Sequence, residues 1–124
     1  MIDTDILIDV ARGYQAAISR LQAIEGVSIL AISVITKMEM IAGCKDKREL
    51  DLPTVFLKRY NTIHIDEEVS ETALSLVTQY RLSHGLHIPD ALIAAASIVH
   101  NAPLLSKNQR DFRFMTSLKL LSYP

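Results

Sequence analysis

The chain has 124 residues and a formal net charge of −1, with 49% hydrophobic and 22% charged residues. This length is enough to bury one core without cross-links, so we predict a single domain over residues 1–124. The lone Cys44 excludes an internal disulfide and any zinc site built from several cysteines. No apolar run approaches the roughly 20 residues that span a bilayer. We therefore expect a cytoplasmic protein without membrane contact.

The charge and the apolar fraction also bear on partners. A near-neutral chain is unlike a general nucleic-acid coat, which carries a broad basic surface, although one local patch can still meet nucleic acid. A mean hydropathy of +0.21 is high for a small lone domain. Part of the surface is therefore expected to be covered, and we predict a homodimer packed through apolar helices.

Five short apolar runs are predicted to form strands. They are residues 1–2, 27–32, 63–65, 103–106 and 118–121. Helices or helix pairs separate these runs, which predicts a three-layer α/β/α domain with a mainly parallel sheet of about five short strands. In such sheets, ligands bind at the carboxyl ends of the strands.

Capping residues mark the predicted helix boundaries. The predicted N-terminal caps are Thr4 or Asp5, Ser33 and Asp66. The predicted stops are Gly13, Gly26, Gly43 and Gly85. The charged segment 45–52 is predicted to be a connection, with the next helix beginning at Pro53.

The segment 88–96 is apolar almost throughout but contains one carboxylate, Asp90. Pro89 suits the first helical position, and Asp90 then lies in the first turn, where the helix dipole favours an anion. The residues that follow offer no polar face, so the helix is predicted to be enclosed. Asp90 is either a helix-opening residue or a ligand for a hard cation, and this segment alone does not decide between them.

Four acids that are far apart in the sequence are predicted to meet at one edge of the sheet. Asp3 follows the first strand, and Asp111 follows the strand at 103–106. The helix that carries Asp90 runs antiparallel to that strand, so its N-terminus lies at the same edge. Glu39 is in the second turn of the helix after the second strand. Given its apolar neighbours, Glu39 is either a buried carboxylate relieved by a cation or a residue on the exposed side of the helix, and this segment alone does not decide between them.

Clustered carboxylates repel one another unless a positive charge lies between them. Oxygen ligands alone suit Mg²⁺ or Mn²⁺, whereas zinc usually binds histidine or cysteine. A pair of such ions can activate water and stabilise the leaving oxygen in phosphodiester cleavage. The sequence therefore predicts one or two Mg²⁺ or Mn²⁺ ions at this edge.

Together these segments resemble the PIN-domain proteins. The resemblance rests on residues 3–9 (DTDILID), Glu39 in its helix, residues 88–95 (IPDALIAA) and residues 105–112 (LSKNQRDF), in that order. The chain looks most like the stand-alone PIN ribonucleases that are the toxins of VapBC-type toxin–antitoxin pairs. The match runs essentially from end to end.

The resemblance implies a metal-dependent endoribonuclease that cleaves single-stranded or structured cellular RNA. It implies a cognate antitoxin as inhibitor and a dimeric state. Carried over by position, the catalytic and metal-binding acids would be Asp3, Glu39, Asp90 and Asp111. Family members more often have Asn where Asp5 stands, and Thr where Ser106 stands.

Further residues would support the metal or touch the substrate. Ser106 and Asn108 correspond to polar residues that the family places beside the metal and the scissile phosphate, with Thr4 and Asp5 behind the ligands. Our hypothesis for Lys107 and Arg110 is contact with RNA phosphate, against the alternative of ordinary surface charge.

Two other functions compete with this interpretation. Asp3 and Asp5 after a strand also resemble the opening motif of haloacid-dehalogenase-like phosphatases, in which the first aspartate is a nucleophile. That function leaves Glu39 without a role. The other alternative is a non-catalytic PIN-fold binding module, against which the intact set of four acids argues.

Overall fold

The computed structural model describes residues 1–49 and 53–124 in full, and residues 50–52 only as part of a helix. The helices of the described chain are α1 (Thr4–Ala11), α2 (Gln15–Glu25), α3 (Val34–Ala42), α4 (Lys47–Leu57), α5 (Glu67–His84), α6 (Ile88–Val99) and α7 (Gln109–Phe112). The strands are β1 (Ala31–Ser33), β2 (Asn61–Ile63), β3 (Leu104–Leu105) and β4 (Leu120–Leu121). No helix among the described residues is long and apolar enough to cross a membrane.

The strands form two parallel pairs that the N-terminal segment joins. β1 pairs with β2, and β3 pairs with β4. Between the pairs, Ile2 forms an isolated parallel bridge with Leu105, and its N–H donates to the Ala31 carbonyl at 2.9 Å. The predicted α/β class with a parallel sheet is confirmed. The described chain has four strands rather than five, because α1 begins at Thr4 and leaves residues 1–2 only one bridge.

Consecutive residues of the central segments enter two separate cores. Met1 and Leu104 belong to a core built mainly by α5, α6 and the segment after β3. Their neighbours Ile2 and Leu105 belong to a core built mainly by α1, α2 and β1. Because successive side chains of an extended chain point to opposite faces, the two cores lie on opposite sides of the sheet. This arrangement is the predicted three-layer architecture.

The helix caps agree with the sequence except at the first helix. Ser33 Oγ accepts from the Ile35 N–H at 3.1 Å, and Asp66 Oδ1 accepts from the Val69 N–H at 2.9 Å. The N-cap of α1 is Asp3, rather than Thr4 or Asp5. The cap lies one residue earlier because the chain leaves the sheet directly after Ile2.

Three predicted boundaries are wrong. The strand expected at residues 63–65 is β2 at Asn61–Ile63, which shares only Ile63 with the prediction. Residues 27–32 were expected to be a buried strand, but β1 begins at Ala31, and Val27 and Ile29 are each 85% exposed in the loop after α2. The helix expected to begin at Pro53 begins at Lys47, so segment 45–52 is not simply a connection; the side chains of residues 50–52 lie outside the described residues. Apolar content alone could not reveal the exposure of the loop.

Pro53 is tolerated inside α4 with local compensation. A proline at this position cannot donate to the carbonyl four residues earlier, which belongs to Glu49. The Cys44 thiol lies 3.4 Å from that carbonyl oxygen and donates to it instead. Cys44 thus has a structural contact in this part of the chain.

The helix predicted to be enclosed is α6. Ala91 and residues 93–97 are buried, and α6 packs against α5. Pro89 occupies the second helical position, with His87 as the N-cap residue. Asp90 therefore lies in the first turn of α6, as predicted.

Candidate active site

Asp3 is the deepest carboxylate of the site. It is 4% exposed, and it follows the central bridge of the sheet at Ile2. One carboxylate oxygen accepts from the Thr4 N–H at 2.8 Å, and the other accepts from the Ser106 hydroxyl at 2.7 Å. The backbone N–H of Asp3 donates to the Leu105 carbonyl at 2.9 Å. Both the sheet and the helix cap therefore fix the position of this side chain.

Asp5 holds the loop between β3 and α7. Its Oδ2 accepts from the backbone N–H groups of Lys107 and Asn108, each at 3.1 Å, and lies 3.4 Å from the Ser106 hydroxyl. Its Oδ1 is buried without a hydrogen-bond partner. A buried carboxylate oxygen without a donor is costly, and a cation would relieve that cost.

Glu39 and Asp111 complete the set from α3 and α7. Glu39 is exposed, so of the two alternatives left open by the sequence the solvent-facing one holds; its apolar neighbours Met38 and Ile41 are exposed as well. Its Oε1 accepts from the Thr4 hydroxyl at 2.8 Å, which brings it to the start of α1. Asp111 is exposed on α7. We call Asp3, Asp5, Glu39, Asp90 and Asp111 the acidic cluster.

The acids of this cluster act on one another electrostatically. Burial, followed by the negative charge of Asp5 and to a smaller extent that of Asp90, raises the pKa of Asp3 to about 7, against the hydrogen bonds from Ser106 and Thr4. The pKa of Asp90 is also raised. Burial is the largest cause, and the negative charges of Asp111 and Glu39 are the next largest. Asp90 therefore lies within electrostatic range of Asp3, Glu39 and Asp111, with Asp5 beside them.

The predicted substrate-binding residues differ in their contacts. Lys107 Nζ donates to Asp9 Oδ2 at 2.9 Å, and this hydrogen bond raises the pKa of Lys107. Asn108 contributes its backbone N–H, which donates to Ser106 Oγ at 3.0 Å as well as to Asp5. Arg110 is exposed and lines a cavity beside Asp90.

Asp9 is a buried acid of this region whose role the sequence alone does not reveal. It is 5% exposed and lies one helical turn after Asp5 on α1. The spacing of four residues could have placed it on the same face of α1 as Asp5. Its pairing with Lys107 could not be predicted, because the two residues are 98 positions apart.

The donor set fits a hard divalent cation. The cluster supplies carboxylate oxygens only, which is the ligand chemistry of Mg²⁺ and Mn²⁺. Among the described residues, no three His, Cys, Asp or Glu side chains already form a ligand group. Mg²⁺ commonly keeps several waters and binds only one or two carboxylates, so this spacing is compatible with it.

Without divalent cations, the raised pKa of Asp3 predicts a pH-dependent stability. The folded-state pKa is about 7 against 3.8 for an unperturbed aspartate, so the folded chain binds the proton more tightly. This contribution stabilises the fold at low pH and is lost as the pH rises from about 4 to about 7. Urea unfolding in EDTA should show that D3N flattens this dependence, gaining on the order of 2–4 kcal/mol relative to wild type at the higher pH.

The matched control is E71Q, which neutralises an exposed acid in the first half of α5. E71Q should keep the pH dependence of the wild type. An identical pH dependence in D3N and wild type would show that Asp3 does not titrate as described.

The sequence profile of the PIN domain matches residues 1–115. The chain is 33% identical to Ribonuclease VapC19 of Mycobacterium tuberculosis, over 96% of each chain. It is 30% identical to Ribonuclease VapC1 of Methanocaldococcus jannaschii, over 99% of this chain and 85% of that protein.

Solved structures also match nearly the whole chain. A toxin–antitoxin complex from Klebsiella pneumoniae contains a chain that is 32% identical, with a TM-score of 0.77, and the match covers 94% of this chain and 92% of that one. VapBC2 from Rickettsia felis, bound to a promoter DNA fragment, matches with a TM-score of 0.83 at 24% identity, over 100% and 98% of the two chains, and shows the shared fold. The matched profile, the relatives and the fold agree: this chain belongs to the PIN-domain family.

Proposed function

We propose that this chain is a divalent-metal-dependent endoribonuclease, the toxin of a toxin–antitoxin pair, which acts in the cytoplasm. Two relatives that match nearly the whole chain are named ribonucleases, and a structural relative at 32% identity comes from a toxin–antitoxin complex. By the same comparison, the proposed protein partner is a cognate antitoxin that inhibits the enzyme. The proposed substrate is single-stranded or structured cellular RNA.

The observation that carries the proposal is the Asp3 carboxylate, buried next to further acids. Its pKa of about 7 reflects burial and the nearby charges of Asp5 and Asp90. Asp3 and Asp90 would be the most direct ligands of one or two Mg²⁺ or Mn²⁺ ions, with Glu39 and Asp111 beside them. When bound, such a cation supplies a water nucleophile at neutral pH and stabilises charge on the phosphate.

The surrounding residues orient the carboxylates and the substrate. The Ser106 hydroxyl donates to Asp3 and fixes the plane of that carboxylate. The bonds from Lys107 N–H and Asn108 N–H to Asp5 hold the loop in place. We assign Arg110 to the RNA phosphate. Lys107 forms an ion pair with Asp9, but half of its side chain stays exposed and can contact the RNA backbone as well.

The variant D90N tests the proposal directly. Cleavage of a mixed RNA pool should require Mg²⁺ or Mn²⁺, stop in EDTA, and fall at least about 100-fold in D90N, since a ligand of the cation is lost. Because burial and neighbouring acids raise the pKa of Asp90, a neutral amide there should leave the melting temperature equal or higher. The readouts are gel-resolved cleavage products and the melting temperature of each protein.

The control E71Q should cleave like the wild type. Cleavage by D90N at the wild-type rate would refute the role of Asp90. A wild-type protein that binds RNA but cleaves none with either ion would indicate a non-catalytic PIN-fold binding module. Hydrolysis of a small phosphomonoester in place of RNA would indicate the phosphatase chemistry instead.

The proposal includes a homodimer. Several large apolar side chains of the described residues are exposed, among them Tyr14, Met38, Ile41 and Val55. Covering part of this surface favours self-association. Light scattering at micromolar concentration, without antitoxin, should give twice the chain mass of 13.8 kDa. A monomeric mass under these conditions would refute the dimer.

A further inference from the structure

A cavity of about 530 Å³ opens beside the acidic cluster. Asp90 and Asp111 line it on one side, and the end of α5 with the segment after α7 lines it on the other. This volume is within the range of small-molecule binding sites and can hold one nucleotide. The two acids belong to the site described above, but the opposite side has different chemistry.

Two stacked rings form that opposite side. The imidazole of His84 stacks on the ring of Phe114, with centroids 4.1 Å apart and planes 15° from parallel. Tyr80 packs against Phe114 with ring centroids 5.0 Å apart, and Ser83 Oγ lies 2.7 Å from His84 Nδ1. His84 itself is exposed at the end of α5. The His84 ring is therefore held by its contacts with Phe114 and Ser83 and stays exposed to solvent.

The turn that carries these rings is well braced. Gly85 ends α5 in the left-handed region with φ of 69°, where a side chain would be strained. The Arg81 guanidinium donates to the carbonyls of Gly85 and Leu86, at 3.1 and 3.2 Å. The Leu86 side chain is buried in the core below. The cavity wall is thus preformed rather than assembled on binding.

Two guanidinium groups complete the lining. Arg110 and Arg113 are one turn apart at α7, and both are exposed. Among the residues that the structure describes, neither is in an ion pair with a carboxylate. Their charges are available to a phosphate, which arginine binds through several N–H donors.

We propose that this cavity, which we call the His84 cavity, binds one unpaired nucleotide of the RNA next to the cleaved phosphodiester. Its base stacks on His84, and its phosphate lies near Arg110 and Arg113. Aromatic side chains and arginines are the usual partners of unpaired bases and phosphates in RNA recognition. A base held in a duplex is already stacked on its neighbours and cannot enter. This inference rests on the proposed endoribonuclease function and adds a requirement for a single-stranded site.

The test measures RNA binding and base stacking in a non-cleaving background. D90N protein is titrated with single-stranded RNA of mixed sequence, about 12 nucleotides long, labelled in turn with 2-aminopurine at each position. Binding should quench fluorescence most strongly at one position, and H84A should abolish that quenching and weaken binding about tenfold. H84F should restore both, because a phenyl ring keeps the stacking surface. R113A should weaken binding without removing the quenching.

Matched controls lie far from the cavity. H100A removes an exposed histidine at the opposite end of α6, and R59A removes an exposed arginine after α4; both should bind RNA like the parent protein. A duplex of the same sequence should bind at least about tenfold more weakly than the single strand.

The cleavage assay with the wild-type protein is run alongside, so that the two proposals can fail separately. Equal affinity and equal quenching in H84A and its parent, with metal-dependent cleavage intact, would overturn the His84 cavity alone. A wild-type protein that neither binds nor cleaves RNA would overturn both proposals.

Discussion

The carboxylate of Asp3 is almost completely removed from water, and each of its oxygens accepts a hydrogen bond from the protein. Two such bonds do not offset the desolvation of a charge that also faces Asp5 and Asp90, so its pKa rises to about 7. The fold stabilises the position of this side chain better than it stabilises its charge. A divalent cation would reverse that balance, which is the physical reason for the proposed function.

The same backbone that buries Asp3 also assembles the rest of the site. The Ile2 bridge joins the two strand pairs, and the next residue caps α1. Because the strands are parallel, their carboxyl ends lie together, and the loop after β3 delivers its donors to Asp5. On its other side the acidic cluster adjoins the His84 cavity. The carboxylates proposed to bind a cation and the His84 ring proposed to stack on a base therefore lie side by side.

Features encoded locally could be predicted from the sequence. The Asp66 cap and the enclosed α6 follow from capping chemistry and an apolar run. The proximity of acids from distant segments could be predicted only through the parallel strand order. Other features that depend on distant contacts could not be predicted. Loop exposure at Val27, a proline tolerated inside α4 and the Asp9–Lys107 pair each depend on what the folded chain places nearby. The metal-binding roles of the acids stay predictions.

The central claim is that the acidic cluster binds a divalent cation and that Asp3 is one of its most direct ligands. Calorimetric titration of the protein with Mn²⁺ alone, at neutral pH and without RNA, tests this most directly. Wild type should bind one or two ions, and D3N should bind at least about tenfold more weakly, because a direct ligand is lost. Equal Mn²⁺ affinity in wild type and D3N, or no binding by the folded wild-type protein, would contradict the account.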